Sequence, residues 1–168
     1  MAGIAGLSAP VPLSEQHEAV DFRCGEPALD EWLIRRAKAN QISGASRTYV
    51  VCSKQKVVGY YAVTSGSIGP DAVPGKVRRK MPNPIPVAVL ARLAVDLEWH
   101  SKGLGRALFR DAAMRVSNAA DAIGIRGIVV HAISEEAKRF YLGLGFTVSP
   151  ADAMTLVVTL ADARAALG

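Results

Sequence analysis

The sequence predicts an α/β domain, and three features predict it. In the C-terminal half, strand-like and helix-like patterns alternate from residue 87 to residue 160, as helices layered on a sheet require. Residues 48–52 and 57–65 flank the polar turn Ser53-Lys54-Gln55-Lys56 and read as a hairpin. Residues 87–95 are apolar except for Arg92, which suits a central strand covered on both faces. With 168 residues, half of them hydrophobic, the chain can bury the core of one domain, taken as residues 1–168.

Pro10, Pro12 and Leu13 begin an extended lead-in. Pro27 suits the first turn of a helix, where its fixed φ fits and its missing N–H is not needed. Leu29, Trp32, Leu33 and Ala37 then share one face, with Asp30, Glu31, Arg35 and Lys38 largely on the other, and Gly44 marks the stop. Residues 70–86, with Pro74, Gly75, Pro82 and Pro84, predict a loop or a poorly formed helix. A helix after Gly103 places Leu104, Leu108 and Ala112 four apart and should end near residues 122–124. Residues 127–131 read as a strand. Ser134 is placed to cap the next helix, with Glu135 and Glu136 in its first turn. Ala137, Phe140, Tyr141 and Leu144 follow at helical spacing. Residues 145–148 start a short strand, and residues 154–160 form the last one.

The stretch between the 87–95 run and the next helix is the most informative. It reads His100-Ser101-Lys102-Gly103-Leu104-Gly105-Arg106-Ala107. Its glycines let backbone approach a ligand closely. The first N–H groups of a helix, with their partial positive charge, attract a phosphate or pyrophosphate. An anion cradle is therefore expected at the C-terminal end of a strand.

Composition narrows the setting. No apolar run reaches the roughly eighteen residues needed to span a membrane. Met1 to Leu7 lacks the basic and apolar regions of a signal peptide. Cys24 and Cys52 have no metal or redox spacing and read as small core residues, which points to a reducing cytoplasm. The net charge of +5 is modest, but it is clustered. Lys76, Arg78, Arg79 and Lys80 form one group; Arg35, Arg36, Lys38 and Arg47 form another. Such runs are either solvated faces or a groove for a polyanion.

Taken in order, these elements resemble the GNAT superfamily of acetyl-CoA-dependent N-acetyltransferases. The resemblance rests on a strand, then x-x-Gly-x-Gly, helix, strand, and a helix ending Phe140-Tyr141-Leu142-Gly143-Leu144-Gly145-Phe146. Phe22-Arg23-Cys24-Gly25-Glu26-Pro27-Ala28-Leu29-Asp30-Glu31-Trp32-Leu33 and Ser46-Arg47-Thr48-Tyr49-Val50 are similar to the GNAT toxins of bacterial toxin–antitoxin modules. The resemblance runs from residue 12 to residue 160. It implies a mixed, mostly antiparallel central sheet with helices on both faces and a V-shaped opening between the middle strands. It also implies acetylation of the α-amino group of aminoacyl-tRNA, a block of translation, a ribbon-helix-helix antitoxin and a homodimer.

For the site, the resemblance implies that Tyr141 donates a proton to the departing CoA thiolate. On spacing alone, Tyr141 would be a core residue whose hydroxyl finds a partner. Acetyl-CoA would meet the backbone of Leu93, Ala94 and Val95, the turn from Lys102 through Gly103, Leu104, Gly105 and Arg106 to Ala107, and Phe140. His100 stands where the family has Arg or Gln, and imidazole lacks the guanidinium fork. The candidate RNA contacts are Arg35, Lys38, Arg47, Lys76, Arg78, Arg79, Lys80 and Arg92. Arg92 reads either as a paired buried charge or as a group near the acceptor phosphates. Glu98 reads as a solvated turn residue, His131 as structural, Trp32 and Trp99 as packing residues, and no metal is expected. The rival readings are an N-acetyltransferase for a small-molecule or protein amine, and a binding module of the same shape without chemistry.

Overall fold

Seven strands form one sheet: β1 (Val11–Pro12), β2 (Arg47–Ser53), β3 (Lys56–Ile68), β4 (Ile85–Val95), β5 (Gly127–His131), β6 (Thr147–Val148) and β7 (Thr155–Thr159). Their order is β1-β2-β3-β4-β5-β7-β6. The pairs β1–β2, β2–β3, β5–β7 and β6–β7 are antiparallel and β4–β5 is parallel, so the sheet is mixed and mostly antiparallel. The helices are α1 (Pro27–Arg35), α2 (Ala37–Ser43), α3 (Gly75–Arg78), α4 (Leu104–Ala119), α5 (Glu135–Gly143) and α6 (Leu160–Leu167). This computed structural model describes residues 4–167; the N-terminal reading falls in part on residues 1–3, outside them. The chain divides into two compact units, residues 1–64 with 92–111 and residues 65–91 with 112–168.

In the first unit, the expected single helix from Pro27 to Gly44 is two helices. Arg36 leaves helical geometry (φ −121°, ψ −30°), and its amide closes α1 on the Trp32 carbonyl at 2.8 Å. No glycine or proline marks that break, so apolar spacing could not show it. Asp30, expected on the polar face, is buried because its carboxylate accepts from the Cys24 amide at 2.9 Å. One core cluster joins Phe22, Leu33, Ala37, Val50, Val57, Tyr60 and Ala94, with both cysteines inside it. Burial pushes the Cys24 thiol up to about 12 and raises Cys52 as well, which keeps both sulfurs protonated and unreactive. β3 alternates across the sheet. Tyr60 joins this cluster, whereas Tyr61 meets Asp111 of α4.

In the second unit, Val73, Val77, Ile85, Val87, Val129 and Val157 form a separate core cluster. The segment expected as a loop or a poorly formed helix is a 3-10 turn (Pro70–Ala72) followed by the four-residue α3, and Val77 anchors it in that core. β4 also starts earlier than expected, at Ile85, and β3 runs on to Ile68. β4 pairs with β5 over Val87–Val89 against Gly127–Val129, three residues of an eleven-residue strand. Ser134 caps α5 as expected, its hydroxyl accepting from the Ala137 amide at 3.1 Å. α4 stops at Ala119, short of the expected end. Unforeseen α6 begins where β7 ends, and its Arg164 donates to the Ser117 hydroxyl at 3.0 Å.

Gly127 opens β5 at a place where chains nearly touch: a Cβ there would lie 2.6 Å from the Val158 carbonyl oxygen. That atom is backbone and cannot swing away. Gly127→Ala should cost about 1–3 kcal/mol, the usual range for overpacking. Urea unfolding monitored by circular dichroism would measure it, and an unchanged midpoint would show that β5 and β7 are not held this tightly.

Candidate active site

The turn expected to form an anion cradle lies in the first unit, and its frame is a carboxylate. β4 ends at Val95, and Asp96 follows, buried. Asp96 Oδ2 accepts from the Arg23 amide at 3.1 Å and Oδ1 from the Glu98 amide at 3.0 Å. Its own amide donates to Val58 of β3 at 2.8 Å, and its carbonyl accepts from Trp99 at 2.8 Å. The turn beyond carries two left-handed residues, Ser101 (φ 62°) and Gly103 (φ 82°). That geometry is routine for glycine; at Ser101 it costs about 1–3 kcal/mol, strain of the kind found at ligand clamps. A Cβ at Gly103 would meet nothing within 4 Å, so the glycine is there for its backbone and not to relieve crowding.

α4 begins at Leu104, and the Ala107 amide donates to the Gly103 carbonyl at 3.1 Å. The amides of Leu104, Gly105 and Arg106 precede that first helical bond, so they face out of the helix start with its positive dipole end. Lys102 and Arg106 are exposed beside them. This cradle suits a pyrophosphate. The His100 ring turns back on its own chain, and its Nε2 donates to the Val95 carbonyl at 2.7 Å. His100 thus braces the end of β4. In that strand Ala94 is buried, while Leu93 and Val95 are partly open.

Arg92 is not a paired charge. Among the described residues it has no carboxylate partner; its guanidinium lies over the Trp32 ring, 4.3 Å from the centroid. Trp32 in turn stacks on Tyr60 at 6.0 Å, and the Tyr60 hydroxyl donates to the Leu29 carbonyl at 2.7 Å. A cation over an indole face is held electrostatically and keeps its donors for another partner. Trp32 is therefore a packing residue with a further task, one that no spacing in the sequence indicated.

The second unit carries Tyr141, buried on α5 among Phe140 and Phe146, with ring centroids 5.2 and 5.4 Å away in edge-on geometry. Two other buried tyrosines have engaged hydroxyls, Tyr60 with Leu29 and Tyr61 with Asp111 at 2.5 Å. The Tyr141 hydroxyl has no hydrogen-bond partner among the described residues. Burial raises its pKa well above the ordinary tyrosine value, so it stays protonated.

The basic candidates separate into two kinds. Arg47 donates to the Gln41 carbonyl at 2.8 Å and Lys38 to the Glu15 carbonyl at 3.2 Å, so both brace local backbone; Arg35 is exposed in the last turn of α1. Lys76, Arg78, Arg79 and Lys80 are all exposed around the buried Val77. Arg78 makes only a loose 3.8 Å ion pair with Asp71, of little energetic weight at such exposure. Glu98 is exposed, as the turn reading required. His131 is exposed too, with Nδ1 3.0 Å from the Thr155 hydroxyl. Among the described residues no cluster of His, Cys, Asp and Glu could hold a metal, and no helix is long and apolar enough to cross a membrane.

Comparison with known proteins identifies the family. The sequence profile of the acetyltransferase (GNAT) domain matches residues 44–148. A tRNA-acetylating toxin of Mycobacterium tuberculosis (strain ATCC 25618 / H37Rv) is 47% identical over 165 residues, covering 98% of this chain and 99% of that protein. The solved structure of AtaT complexed with acetyl-methionyl-tRNAfMet superposes with a TM-score of 0.88 at 28% identity, over 96% of this chain and 99% of that one. A tyrosine-to-phenylalanine mutant of the AtaT toxin, bound to the C-terminus of the antitoxin AtaR and to acetyl-CoA, gives a TM-score of 0.81 at 27% identity over 95% and 96%. With profile, sequence and fold in agreement, the chain belongs to the GNAT acetyltransferase family.

Proposed function

We propose that this chain is a toxin that uses acetyl-CoA to acetylate the α-amino group of aminoacyl-tRNA and so blocks translation. The observation that carries this reading is the likeness to a tRNA-acetylating toxin over nearly the whole of both chains. The chain as a whole is read as one acetyltransferase domain working in the cytoplasm, where charged tRNA is found. Its regulator is an antitoxin of the ribbon-helix-helix type, and it works as a homodimer. A neighbour solved with an antitoxin segment supports the first of these expectations in kind.

When bound, acetyl-CoA supplies the acetyl group as a thioester. The amides of Leu104, Gly105 and Arg106 and the turn at Gly103 hold its pyrophosphate, with Lys102 and Arg106 balancing the charge. Leu93 and Ala94 offer backbone groups to the pantetheine arm, and Phe140 packs beside it. Val95 offers less, because its carbonyl already accepts from His100, which keeps only Nδ1 for the cofactor. Tyr141 holds a proton for the sulfur that leaves. An α-amino group has a pKa of about 7.7–8.0, and esterification to tRNA lowers it, so much of the acceptor is already neutral near pH 7. Arg92 and the α3 cations meet the phosphates of the acceptor.

Tyr141→Phe keeps the ring and its edge-on contacts and removes the proton. Turnover on charged tRNA should fall by about 10²–10⁴, with acetyl-CoA affinity unchanged. Because burial raises the Tyr141 pKa, wild-type activity should not fall on the alkaline side until beyond the ordinary tyrosine value of about 10. Near-normal turnover in the mutant would remove Tyr141 from the mechanism.

Gly105→Glu places a carboxylate at the helix start and should abolish acetyl-CoA binding in calorimetry while the circular dichroism spectrum is kept. Unchanged affinity in the folded variant would exclude the cradle. Arg78→Ala with Arg79→Ala leaves Val77 in place, so the fold should hold. Binding to tRNA should weaken, and its log–log salt slope should flatten by roughly 0.7–0.9 per lost phosphate contact. An unchanged slope would make the segment a solvated face.

A further inference from the structure

One hydrogen-bonded chain in the second unit has no part in the mechanism above. Asp152 Oδ1 accepts from the Met154 amide at 2.9 Å, and Oδ2 accepts from the Thr155 hydroxyl at 3.0 Å. These bonds hold the Asp152 carboxyl below its usual range, so it is ionised and can only accept. Thr155 has one hydroxyl proton and gives it to Asp152. Its oxygen must therefore accept from His131 Nδ1, 3.0 Å away. That bond places a hydrogen on Nδ1; with one hydrogen on the ring, Nε2 at its far side carries a bare lone pair.

Register puts this chain together. His131 and Thr155 are directly opposed across β5 and β7. Thr155 is buried and His131 exposed, so the chain runs from a fixed carboxylate to an accessible nitrogen. Its place on the sheet matters as well. By alternation His131 shares a face with Val129, and Thr155 with Val157. Val129 and Val157 pack with Val73 and Val77, so this face is the one carrying α3 and its exposed cations. Asp152 is the charged group facing the ring through Thr155, and Lys138 of α5 acts on the same carboxylate.

We propose that His131 is the general base of acetyl transfer, with Thr155 and Asp152 as positioning residues that fix its tautomer. The proposal rests on the acetyltransferase reading above. As the neutral amine attacks, the C–N bond forms and the C–S bond breaks. The nitrogen then carries one proton too many, which His131 Nε2 takes, while the thiolate receives the Tyr141 proton. Proton return from the imidazolium to the tyrosinate through solvent restores both groups. A weak base suffices, because the acceptor arrives largely neutral.

The test uses the full chain, with charged tRNA and, in parallel, a small primary amine. In His131→Ala, kcat should fall by about 10²-fold with KM for acceptor and acetyl-CoA unchanged. Added imidazole should restore turnover, which a merely structural residue would not allow. Thr155→Val keeps the β-branched shape and should lower kcat to a smaller extent, again with KM unchanged, while altering the acid limb of the pH profile. Wild-type kcat in His131→Ala, a loss confined to KM, or a deficit that imidazole leaves untouched would overturn the proposal. If the wild type acetylates the amine but not charged tRNA, the tRNA reading fails, and His131 is judged on the amine.

Discussion

The geometry of the glycine turn after β4 hangs on one buried carboxylate. Asp96 sits where β4 stops, and its two oxygens are both committed to backbone amides, those of Arg23 and Glu98. A hydrogen bond to a charged group contributes about 1.5–3 kcal/mol, and a buried carboxylate left unpaired would cost more than that. The chain therefore cannot slide at this point. Leu97 donates back to the Arg23 carbonyl, Trp99 to the Asp96 carbonyl, and His100 to Val95. With those contacts made, the strained left-handed turn at Ser101 and Gly103 has a fixed start, and the helix that follows presents its amides in one direction. Asp96 drew no attention in the sequence, because an acidic residue after a strand is ordinary until both its oxygens are seen to be occupied.

Much of this was legible beforehand, for reasons that differ by element. The glycine turn was legible because paired glycines between a strand and a helix open the backbone to close approach, which a plain connection does not need. The Ser134 cap was legible because a hydroxyl three residues ahead of an open amide is a local matter. The strands of the hairpin were legible as two strand-like runs on either side of a polar turn. The break at Arg36 was not, since both halves keep the same apolar face. The anchoring of Val77 was not, because one valine among four cations gives no period. α6 was missed because its alanine-rich run follows directly on a strand without a separating turn. The Asp152–Thr155–His131 chain depends on the register of β5 against β7, which no pattern in a single sequence carries.

Hydrogen-bond accounting also separates residues that composition makes look alike. Tyr60, Tyr61 and Tyr141 are all buried aromatics. The first two have hydroxyls engaged by Leu29 and Asp111, and with those contacts they fasten β3 to a helix on each face. A proton held in such a bond is a poor one to give away, since donating it also breaks a structural contact. Tyr141 lies among aromatic edges instead, and burial keeps its proton in place without a partner having to be displaced. His131 shows the converse case. Its Nδ1 proton is held by a chain ending in a carboxylate, and that arrangement leaves the other nitrogen bare. A buried ring whose hydroxyl is not engaged in a structural bond suits a proton donor, and a pinned tautomer suits a proton acceptor.

The same accounting applies to the cations, for which net charge was a poor guide. Arg47 and Lys38 donate to backbone carbonyls around α2 and serve the fold. Arg92 is held over an indole face, where its charge is steadied without being neutralised. The four cations of α3 and its flank are organised differently. A single buried residue, Val77, fixes the segment to the core, and every charge stands outside it. These cations contribute almost nothing to folding, so the chain bears no structural cost if a polyanion engages them. A surface held by one apolar anchor, with exposed charges around it, is also one on which binding is governed by the ions released. Folding and recognition are thus assigned to different side chains of the same short helix, and that separation, more than the excess of five positive charges, is the argument for an RNA-facing surface.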